Sequence, residues 1–236
     1  MSDRARGLLL VIEGPEGAGK STQVARLGER LARSGRGHLE LREPGGTPLG
    51  DRIREILLND PNAKMTAPAE AALFIASRAE LVHQVIAPAL AAGTIVTLDR
   101  FFLSTYAYQI HGRGLDEQAL RSANTLATGT LVPDLTLLLT LSSEEGMRRA
   151  DKRGARDRME SSGDAFHRRV EEAFGRFATK EWQAGHPECG PISTIDAAGS
   201  ADDVAREILA RLSSRWPDIF VSDVNTDVSQ TPARVR

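Results

Sequence analysis

The chain has 236 residues, of which 41% are hydrophobic and 26% charged, and its formal net charge is −2. This balance is typical of a folded, soluble protein and excludes a chain that is disordered throughout. The small net charge argues against a global attraction to nucleic acid or to an anionic membrane. The single cysteine, Cys189, excludes an internal disulfide, and apolar runs too short for a signal peptide predict a cytoplasmic protein.

Strand and helix patterns alternate in the first half of the chain. The predicted strands are residues 8–12, 38–43 and 94–98, and the predicted helices are residues 20–34, 48–58 and 68–92. The first and third strands are continuous apolar runs, as in strands buried on both faces of a parallel sheet. Thr47 and Pro48 are typical of an N-cap and a first helical residue, and Pro88 is expected to bend the long third helix.

The second half continues the alternation. Helices are predicted at residues 104–109, at 116–127, after Ser142, at 164–184 and at 201–214, and strands at residues 135–141 and 192–195. Ser142 and Glu145 have the spacing of a capping box at a helix start. Residues 154–163 are polar, charged and bounded by glycines, which predicts a mobile loop.

Strands that alternate with helices indicate an α/β fold of three layers, with a mostly parallel five-stranded sheet flanked by helices. We expect residues 1–215 to form one domain with a lid at about residues 150–163. Periodicity is lost from residue 216 onward, so residues 216–236 are predicted to form a largely disordered tail. The start of this tail can dock through Trp216, Ile219 and Phe220.

Residues 14–21, Gly-Pro-Glu-Gly-Ala-Gly-Lys-Ser, match the pattern G-x-x-x-x-G-K-[ST] between a predicted strand and a predicted helix. Glycines let the backbone curl until several N–H groups point at one phosphate, and the helix N-terminus adds partial positive charge. Lys20 is expected to reach the β- and γ-phosphates, and the Ser21 hydroxyl to bind Mg²⁺. The alternative is a glycine-rich turn that matches by chance, which the flanking strand and helix argue against. We therefore predict a P-loop NTPase fold.

The strand at residues 94–98 ends in Asp99, which resembles a Walker B element, and Arg100 follows it. Ligands of such sheets lie outside the carboxyl ends of the strands. Asp99 is expected to hold Mg²⁺ through water, and the planar guanidinium of Arg100 suits a phosphate. The alternative is an Asp that caps a helix, beside a surface Arg.

Basic residues crowd the stretch after the fourth strand: Arg148, Arg149, Lys152, Arg153, Arg156 and Arg158. A solvated helix face is the ordinary interpretation, and a nucleic-acid patch would lack aromatic residues between the charges. A lid is the sharper hypothesis, because an arginine laid over a transferring phosphoryl group stabilises its charge and excludes water.

The sequence carries neither an HRD-type catalytic loop nor an NKxD motif. A hydroxyl acceptor calls for a nearby general base, whereas a phosphate, with a second pKa of about 6, is already a nucleophilic dianion at neutral pH. A phosphate acceptor instead needs several fixed cations to hold two anions together. Lys20, Arg42, Arg100 and the lid arginines supply such cations, which favours a nucleoside monophosphate kinase.

Several motifs, in order, resemble those of the thymidylate (dTMP) kinase family, over roughly residues 8–212. Besides the phosphate loop they are residues 42–47 (REPGGT), 74–80 (FIASRAE), 99–101 (DRF), 104–109 (STYAYQ), 153–154 (RG) with 157–160 (DRME), and 195–197 (IDA). The resemblance implies transfer of the γ-phosphoryl group of ATP to dTMP with Mg²⁺, a step in dTTP synthesis. It also implies a homodimer that packs through the helix at residues 68–92, and neither a nucleic-acid nor a membrane partner.

The resemblance assigns roles to residues that would contact the thymine base. Phe74 stacks on the base, Arg78 hydrogen-bonds one of its carbonyls, and Thr105 reads its edge. The alternatives are a core Phe, a surface ion pair of Arg78 with Glu80 or Asp99, and a Thr on a helix surface.

Other implied roles concern the sugar and the phosphates. Tyr108 crowds the sugar 2′ position, with buried packing as the alternative, and Glu16 meets the 3′-hydroxyl or orders Mg²⁺ water. Arg42 and Arg100 hold the acceptor phosphate. The implied substrate-binding set is Arg42, Glu43, Phe74, Arg78, Arg100, Thr105, Tyr108 and Gln109, and the ATP-binding set is Gly14, Pro15, Glu16, Gly17, Ala18, Gly19, Lys20, Ser21 and Thr22.

The family has two arrangements of its catalytic arginine, one in the phosphate loop directly after an acid and one in the lid. The loop position here is Gly17, so the resemblance implies the bacterial lid type, with Arg153 as the matching residue. Arg149, Arg156 and Arg158 are nearby competitors. The implied catalytic residues are Lys20, Arg100, Arg153 and Glu16.

Three other functions stay open on the sequence. One is a kinase for another monophosphate, such as dUMP, UMP or AMP. A second is a regulatory switch that hydrolyses a nucleoside triphosphate slowly, and a third is a nucleic-acid-binding protein that uses the basic segment. The resemblance leaves residues 216–236 unaccounted for.

Overall fold

The computed structural model describes residues 6–59, 65–151, 157–159 and 161–220 of the chain. Its five strands, β1 to β5 in chain order, are Leu9–Glu13, His38–Arg42, Ile95–Asp99, Leu135–Thr140 and Ile192–Asp196. They form one sheet in the order β2-β3-β1-β4-β5, and every pairing is parallel. The prediction of a five-stranded, mostly parallel sheet is confirmed.

Ten α-helices are described in this part of the chain. In order, α1 to α10 are Lys20–Arg33, Pro48–Arg54, Ala67–Leu81, Ala87–Ala91, Phe102–Ser104, Glu117–Thr128, Ser143–Asp151, Asp164–Phe177, Lys180–Gly185 and Ala201–Arg215. Three π-helical segments, Glu55–Asn59, Val82–Ile86 and Thr105–Gly112, extend or join them. A short 3₁₀ turn spans Pro187–Cys189.

Helices cover both faces of the sheet, because side chains of β1 alternate between two apolar clusters. Leu9 and Val11 belong to the cluster that packs against α3 and α8. Leu10 and Ile12 belong to the second cluster, which includes residues of α1 and α10. The three-layer arrangement follows from this alternation, since a strand buried on both faces must be apolar at every position.

Several helix boundaries differ from the sequence prediction. The predicted helix at residues 164–184 is two helices, because the Thr179 hydroxyl accepts a hydrogen bond from the Trp182 N–H at 3.3 Å and starts α9. Thr47 caps α2, as predicted, through a 3.0 Å bond from the Gly50 N–H. Before Pro88 the long helix changes to π-type bonding, with the Ala87 N–H donating to the Val82 carbonyl. Pro88 has no N–H to give to the carbonyl four residues earlier, which accounts for the altered pattern there.

The helix Ala67–Ala91, made of α3, Val82–Ile86 and α4, is long and apolar enough to span a bilayer by length and composition alone. This property was not predicted from the sequence. Leu81, Val82, Ile86 and Leu90 lie in the first apolar cluster, so this helix is also a core helix of the fold. Core helices of soluble proteins pass the same test of length and composition.

The segment that follows α10 docks on the second cluster, as predicted for its first residues. Phe220 is 2% exposed, and Trp216 and Ile219 pack against the same cluster. The predicted disorder of the rest of the tail, residues 221–236, lies outside the described residues.

We expect Phe220→Ala to lower the free energy of unfolding by about 3 kcal/mol, because it removes a fully buried ring and leaves a cavity. Urea unfolding followed by circular dichroism measures the effect. Leu126 is 86% exposed, so Leu126→Ala is the matched control and should change stability by less than about 0.5 kcal/mol. A Phe220→Ala variant as stable as the control would contradict the docking.

Candidate active site

The loop between β1 and α1 has the backbone of a phosphate cradle. Gly14, Gly17 and Gly19 have φ of 145°, 75° and 85°, which side-chain-bearing residues rarely adopt. At Gly17 a Cβ atom would lie 2.3 Å from the Gly146 carbonyl oxygen. Position 17 therefore leaves no room for an arginine side chain, in agreement with its absence from the sequence.

Lys20 is buried beneath this loop. Its ammonium donates to the Gly14 and Pro15 carbonyl oxygens at 3.0 and 2.8 Å. Burial and the nearby charge of Arg100 together lower the Lys20 pKa to about 8, against the opposing effect of Glu16 and Asp99. Lys20 thus lies at the loop as a partly desolvated cation.

Ser21 and Asp99 are brought together from α1 and β3. The Ser21 hydroxyl donates to Asp99 Oδ2 at 2.5 Å. The other carboxylate oxygen, Oδ1, is buried and has no hydrogen-bond partner in the part of the chain that the structure describes. A hydroxyl and an unsatisfied carboxylate oxygen are the donor types that Mg²⁺ prefers.

The described residues contain no group of three or more His, Cys, Asp or Glu side chains that could hold a metal ion. A cation at Ser21 and Asp99 would therefore take its remaining ligands from phosphate oxygens and water. This is how Mg²⁺ binds in nucleotide sites, so the residues fit the ion that the sequence implied.

Arg100 follows β3 and is the one described non-glycine residue with a positive φ, 72°. Its guanidinium forms an ion pair with Glu16 and lies 5.2 Å from the centroid of the Tyr108 ring. The Tyr108 hydroxyl donates to the same Glu16 carboxylate at 3.1 Å. Burial raises the pKa of Tyr108 well above its usual range, so its hydroxyl stays protonated and can donate.

Glu13, for which no role was predicted from the sequence, holds the turn after β3. Its fully buried carboxylate accepts from the Phe101 N–H at 2.6 Å and from the Ser104 N–H and hydroxyl at 3.0 and 2.7 Å. An acidic residue at a strand's carboxyl end, as at Asp99, was the available signal. Glu13 fixes the backbone on the far side of Arg100.

Arg78 lies 2% exposed between α3 and the loop after β2. All five of its N–H groups are used: they reach the Glu43 carboxylate (2.6 to 3.1 Å), the Thr105 hydroxyl (2.8 Å), Asn124 Oδ1 (2.5 Å) and the Phe101 carbonyl (2.9 Å). The surface pair with Glu80 or Asp99 is replaced by a buried pair with Glu43. A base carbonyl would have to share or displace one of these donors.

A cleft of about 730 Å³ joins these elements. The predicted site residues that line it are Glu16, Gly17, Ala18, Gly19, Lys20, Ser21, Thr22, Arg42, Glu43, Phe74, Arg78, Asp99, Arg100, Thr105, Tyr108 and Gln109. Gly14 and Pro15 lie behind it, where they accept from Lys20. Arg153 lies outside the described residues.

A further cation of the cleft, Arg54 on α2, was not predicted from the sequence. Arg54 donates to the Pro44 carbonyl at 2.9 Å and lines the cleft with Arg42 and Arg100. Burial lowers the Arg54 pKa, and the charges of Arg42 and Arg100 lower it further. No sequence pattern around Arg54 indicated a site residue. Arg54 reaches the cleft only because the fold places α2 near the end of β3.

The apolar part of the cleft lies beside these cations. Phe74 is partly buried there with Leu58 and Met159, and Gln109 donates to Glu70 at 3.2 Å behind the wall. Met159 belongs to the DRME motif, to which no contact was assigned, and Leu58 carried no signal, since it is an apolar residue far from that motif in the chain.

The opposite end of the cleft is formed by the loop after β5 and by α10. Ala197, Gly199, Ala201 and Val204 line it together with Arg149. Arg149 donates to the Ala197 and Ala198 carbonyls at 2.9 and 3.0 Å. Ala197, Gly199 and Ala201 therefore give this end of the cleft a lining of mostly small side chains.

Replacing Arg78 with methionine should lower the free energy of unfolding by about 3 kcal/mol or more, because the buried Glu43 carboxylate loses its partner. Chemical denaturation measures this change. The double variant Glu43→Gln/Arg78→Met should regain part of the loss, and Arg211→Met, from an exposed pair, should stay within about 0.5 kcal/mol of the parent. Equal losses for Arg78→Met and Arg211→Met would contradict the buried pair.

Comparison with known proteins agrees with this geometry. A profile of the family described as thymidylate kinase matches residues 12–208. The chain is 44% identical over 211 residues to a thymidylate kinase of Deinococcus radiodurans, which covers 89% of this chain and 98% of that protein. It is 47% identical over 211 residues to a thymidylate kinase of a Synechococcus strain, with 89% and 96% covered, and 44% identical over 206 residues to one of Pseudomonas putida, with 87% and 95% covered. The chain belongs to the thymidylate kinase family.

Proposed function

We propose that the protein transfers the γ-phosphoryl group of ATP to dTMP, giving ADP and dTDP. The observation that carries this proposal is a single cleft in which the phosphate loop faces Arg42, Arg54 and Arg100, with an apolar wall around Phe74 beyond them. Two phosphate groups brought together need such a set of fixed cations. Membership of the thymidylate kinase family supports the same reaction.

ATP is the proposed donor and binds with its phosphates in the loop at residues 14–22. The loop N–H groups and the start of α1 supply partial positive charge, and Lys20 turns from the loop carbonyls to the β- and γ-phosphates. The donor base is proposed to bind at the end of the cleft that Ala197, Gly199 and Arg149 line.

Mg²⁺ is the proposed cofactor, held by Ser21 and Asp99 together with the phosphates of ATP. The unsatisfied Oδ1 of Asp99 supports this assignment. The ion, when bound, neutralises charge on the β- and γ-phosphates. Asp99 and Ser21 fix its position relative to Lys20, and Glu16 is placed at the same cleft to order water or meet the sugar 3′-hydroxyl.

The acceptor is proposed to bind with its phosphate among Arg42, Arg54 and Arg100. An oxygen of that dianion attacks the γ-phosphorus in line, while the bond to the β–γ bridging oxygen breaks and ADP leaves. Because a phosphate dianion needs no deprotonation, the residues that contact it hold and orient it. Arg100 and Lys20 stabilise the charge on the transferring phosphoryl group.

Thymine is proposed to stack on Phe74. Thr105 and Arg78 contact the base edge, which requires one Arg78 donor to be shared with the base carbonyl. Tyr108 and Gln109 border the sugar, and the fixed Tyr108 hydroxyl next to Glu16 supports its role in crowding the 2′ position.

Arg153 is proposed as the lid arginine that reaches the transferring group. Two of its competitors have other partners in the structure: Arg149 donates to the Ala197 and Ala198 carbonyls, and Arg158 pairs with Glu70.

We further propose a cytoplasmic homodimer that packs through Ala67–Ala91 and has neither a nucleic-acid nor a membrane partner.

The proposed reaction is tested by mass-spectrometric detection of products from ATP, Mg²⁺ and each of dTMP, dUMP, UMP and AMP. We expect one dTDP for each ADP formed, and dTMP as the preferred acceptor. Lys20→Ala should reduce the rate by about a hundredfold or more, because charge on the transferring group loses a fixed cation, and this variant excludes a contaminating kinase. ADP released without dTDP would contradict the proposal.

The lowered pKa of Lys20 predicts proton uptake on nucleotide binding. In the free protein its pKa is about 8, so Lys20 is mostly neutral at pH 9, whereas bound phosphates favour the ammonium form and raise its pKa. Titration calorimetry with a non-hydrolysable ATP analogue, in buffers of different ionisation enthalpy, should show about one more proton taken up at pH 9 than at pH 7.

Lys20→Met should abolish this difference, and Lys180→Met, at an exposed site on α9, should keep it. The affinity of the parent protein should also fall as the pH rises through about 8. Equal proton uptake at pH 7 and pH 9 would show that Lys20 is not the group that meets the phosphates.

A further inference from the structure

A buried carboxylate on α3, Glu70, lies behind the cleft wall and is not among the residues that line the cleft. Its side chain is 2% exposed. Arg113 contacts both of its oxygens at 3.0 Å, Arg158 lies 2.8 Å from Oε2, and Gln109 donates to Oε1 at 3.2 Å. One carboxylate therefore joins three side chains from two other parts of the chain.

Arg158 is fixed on its other side by main-chain groups of the segment Glu55–Asn59. Its Nε donates to the Leu57 carbonyl at 2.7 Å, and its own N–H donates to the Leu58 carbonyl at 3.1 Å. Arg158 is thus bound both to Glu70 on α3 and to the segment Glu55–Asn59. These contacts hold its guanidinium behind the cleft wall.

The neighbours of Arg158 in sequence face the cleft. Asp157 and Met159 both line it, and so does Phe74, one helical turn after Glu70. The charge of Asp157 also acts on Arg54. Glu70 therefore lies directly behind the part of the wall that borders Phe74 and the arginines proposed to hold the acceptor phosphate. We call this part the acceptor half of the cleft.

The charge state of Glu70 suits this arrangement. Burial on its own would raise the Glu70 pKa, but the hydrogen bonds and charges of Arg113 and Arg158 outweigh burial and lower it. The carboxylate is ionised at neutral pH and balances the two guanidinium groups. Arg113 is further held 4.3 Å over the Phe166 ring and donates to the Ser162 hydroxyl at 3.3 Å.

We propose that Glu70 is a positioning residue which acts through Arg158 to hold Asp157 and Met159 in the wall of the acceptor half of the cleft. This inference rests on the proposed function, because it assigns that half to dTMP. A role in stability alone would change unfolding without distinguishing between the two substrates. Positioning instead predicts an effect confined to the acceptor.

The test uses the full chain with Glu70→Gln, Arg158→Ala and the double variant. We expect each single variant to raise the KM for dTMP by about tenfold, the loss of one charge-assisted contact, while the KM for ATP changes less than about twofold. The double variant should raise the KM for dTMP no further than the more impaired single variant does, because both changes break the same contact. Glu207→Gln and Arg211→Ala, from an exposed pair at 3.1 Å on α10, are the matched controls and should leave both constants unchanged.

A second measurement tests the Glu70–Arg158 contact without catalysis. Amide exchange at residues 157–159 should accelerate in Glu70→Gln and Arg158→Ala and not in the α10 controls, while amides of β1 and β3 stay protected. This measurement can still be made if the parent protein makes no dTDP. In that case the proposed function fails, and the Glu70–Arg158 contact is tested by amide exchange alone.

Two results would overturn the inference. One is unchanged exchange at residues 157–159 in both variants. The other is an active enzyme in which the two KM values stay constant or change by the same factor. Thermal melting of Arg158→Ala, whose side chain is 14% exposed, checks that the variant is folded when its kinetics are measured.

Discussion

The cleft depends on the register of β1 against β3. Ile12 lies opposite Asp99, so the chain leaves both strands at the same sheet edge, towards the phosphate loop on one side and towards Arg100 on the other. The Arg100 N–H donates to the Ile12 carbonyl at 3.1 Å, and the Glu13 carboxylate then holds the next turn. A one-residue slip would turn every side chain of β3 to the other face and separate Ser21 from Asp99.

The same register accounts for the strained backbone at Arg100. A positive φ at a non-glycine residue costs on the order of 1–3 kcal/mol and persists only where the surroundings determine it. Here the Glu13 carboxylate accepts three hydrogen bonds from the turn that follows Arg100, and the ion pair with Glu16 holds the Arg100 side chain. The strain directs the guanidinium towards the phosphate loop, where two phosphates are proposed to meet.

Local signals account for what the sequence predicted well. Continuous apolar runs mark β1, β3 and β4, whose residues are buried on both faces, and the spacing of glycines with Lys20 and Ser21 marks the phosphate loop. The break at Thr179 was missed because apolar spacing continues across it, and π-type segments keep nearly the same apolar spacing as an α-helix. The type of a helix or strand can be predicted from local sequence, whereas the residues at which it begins and ends depend on single hydrogen bonds.

The ion pairs that sequence reasoning missed join residues far apart in the chain. Glu43 lies 35 residues from Arg78, and Arg158 pairs with Glu70 across even more of the chain. Nothing in the local pattern distinguishes these charged residues from solvated ones, because their burial appears only when the helices have packed. Arg54 and Glu13 belong to the same class.

The central claim is that two nucleotides bind at once with their phosphates facing each other between Lys20 and Arg100. A dinucleotide in which five phosphates join adenosine to thymidine tests it most directly, because it spans both halves of one cleft. The account predicts that this compound competes with ATP and with dTMP alike and binds more tightly than either. Competition with only one of them would contradict it.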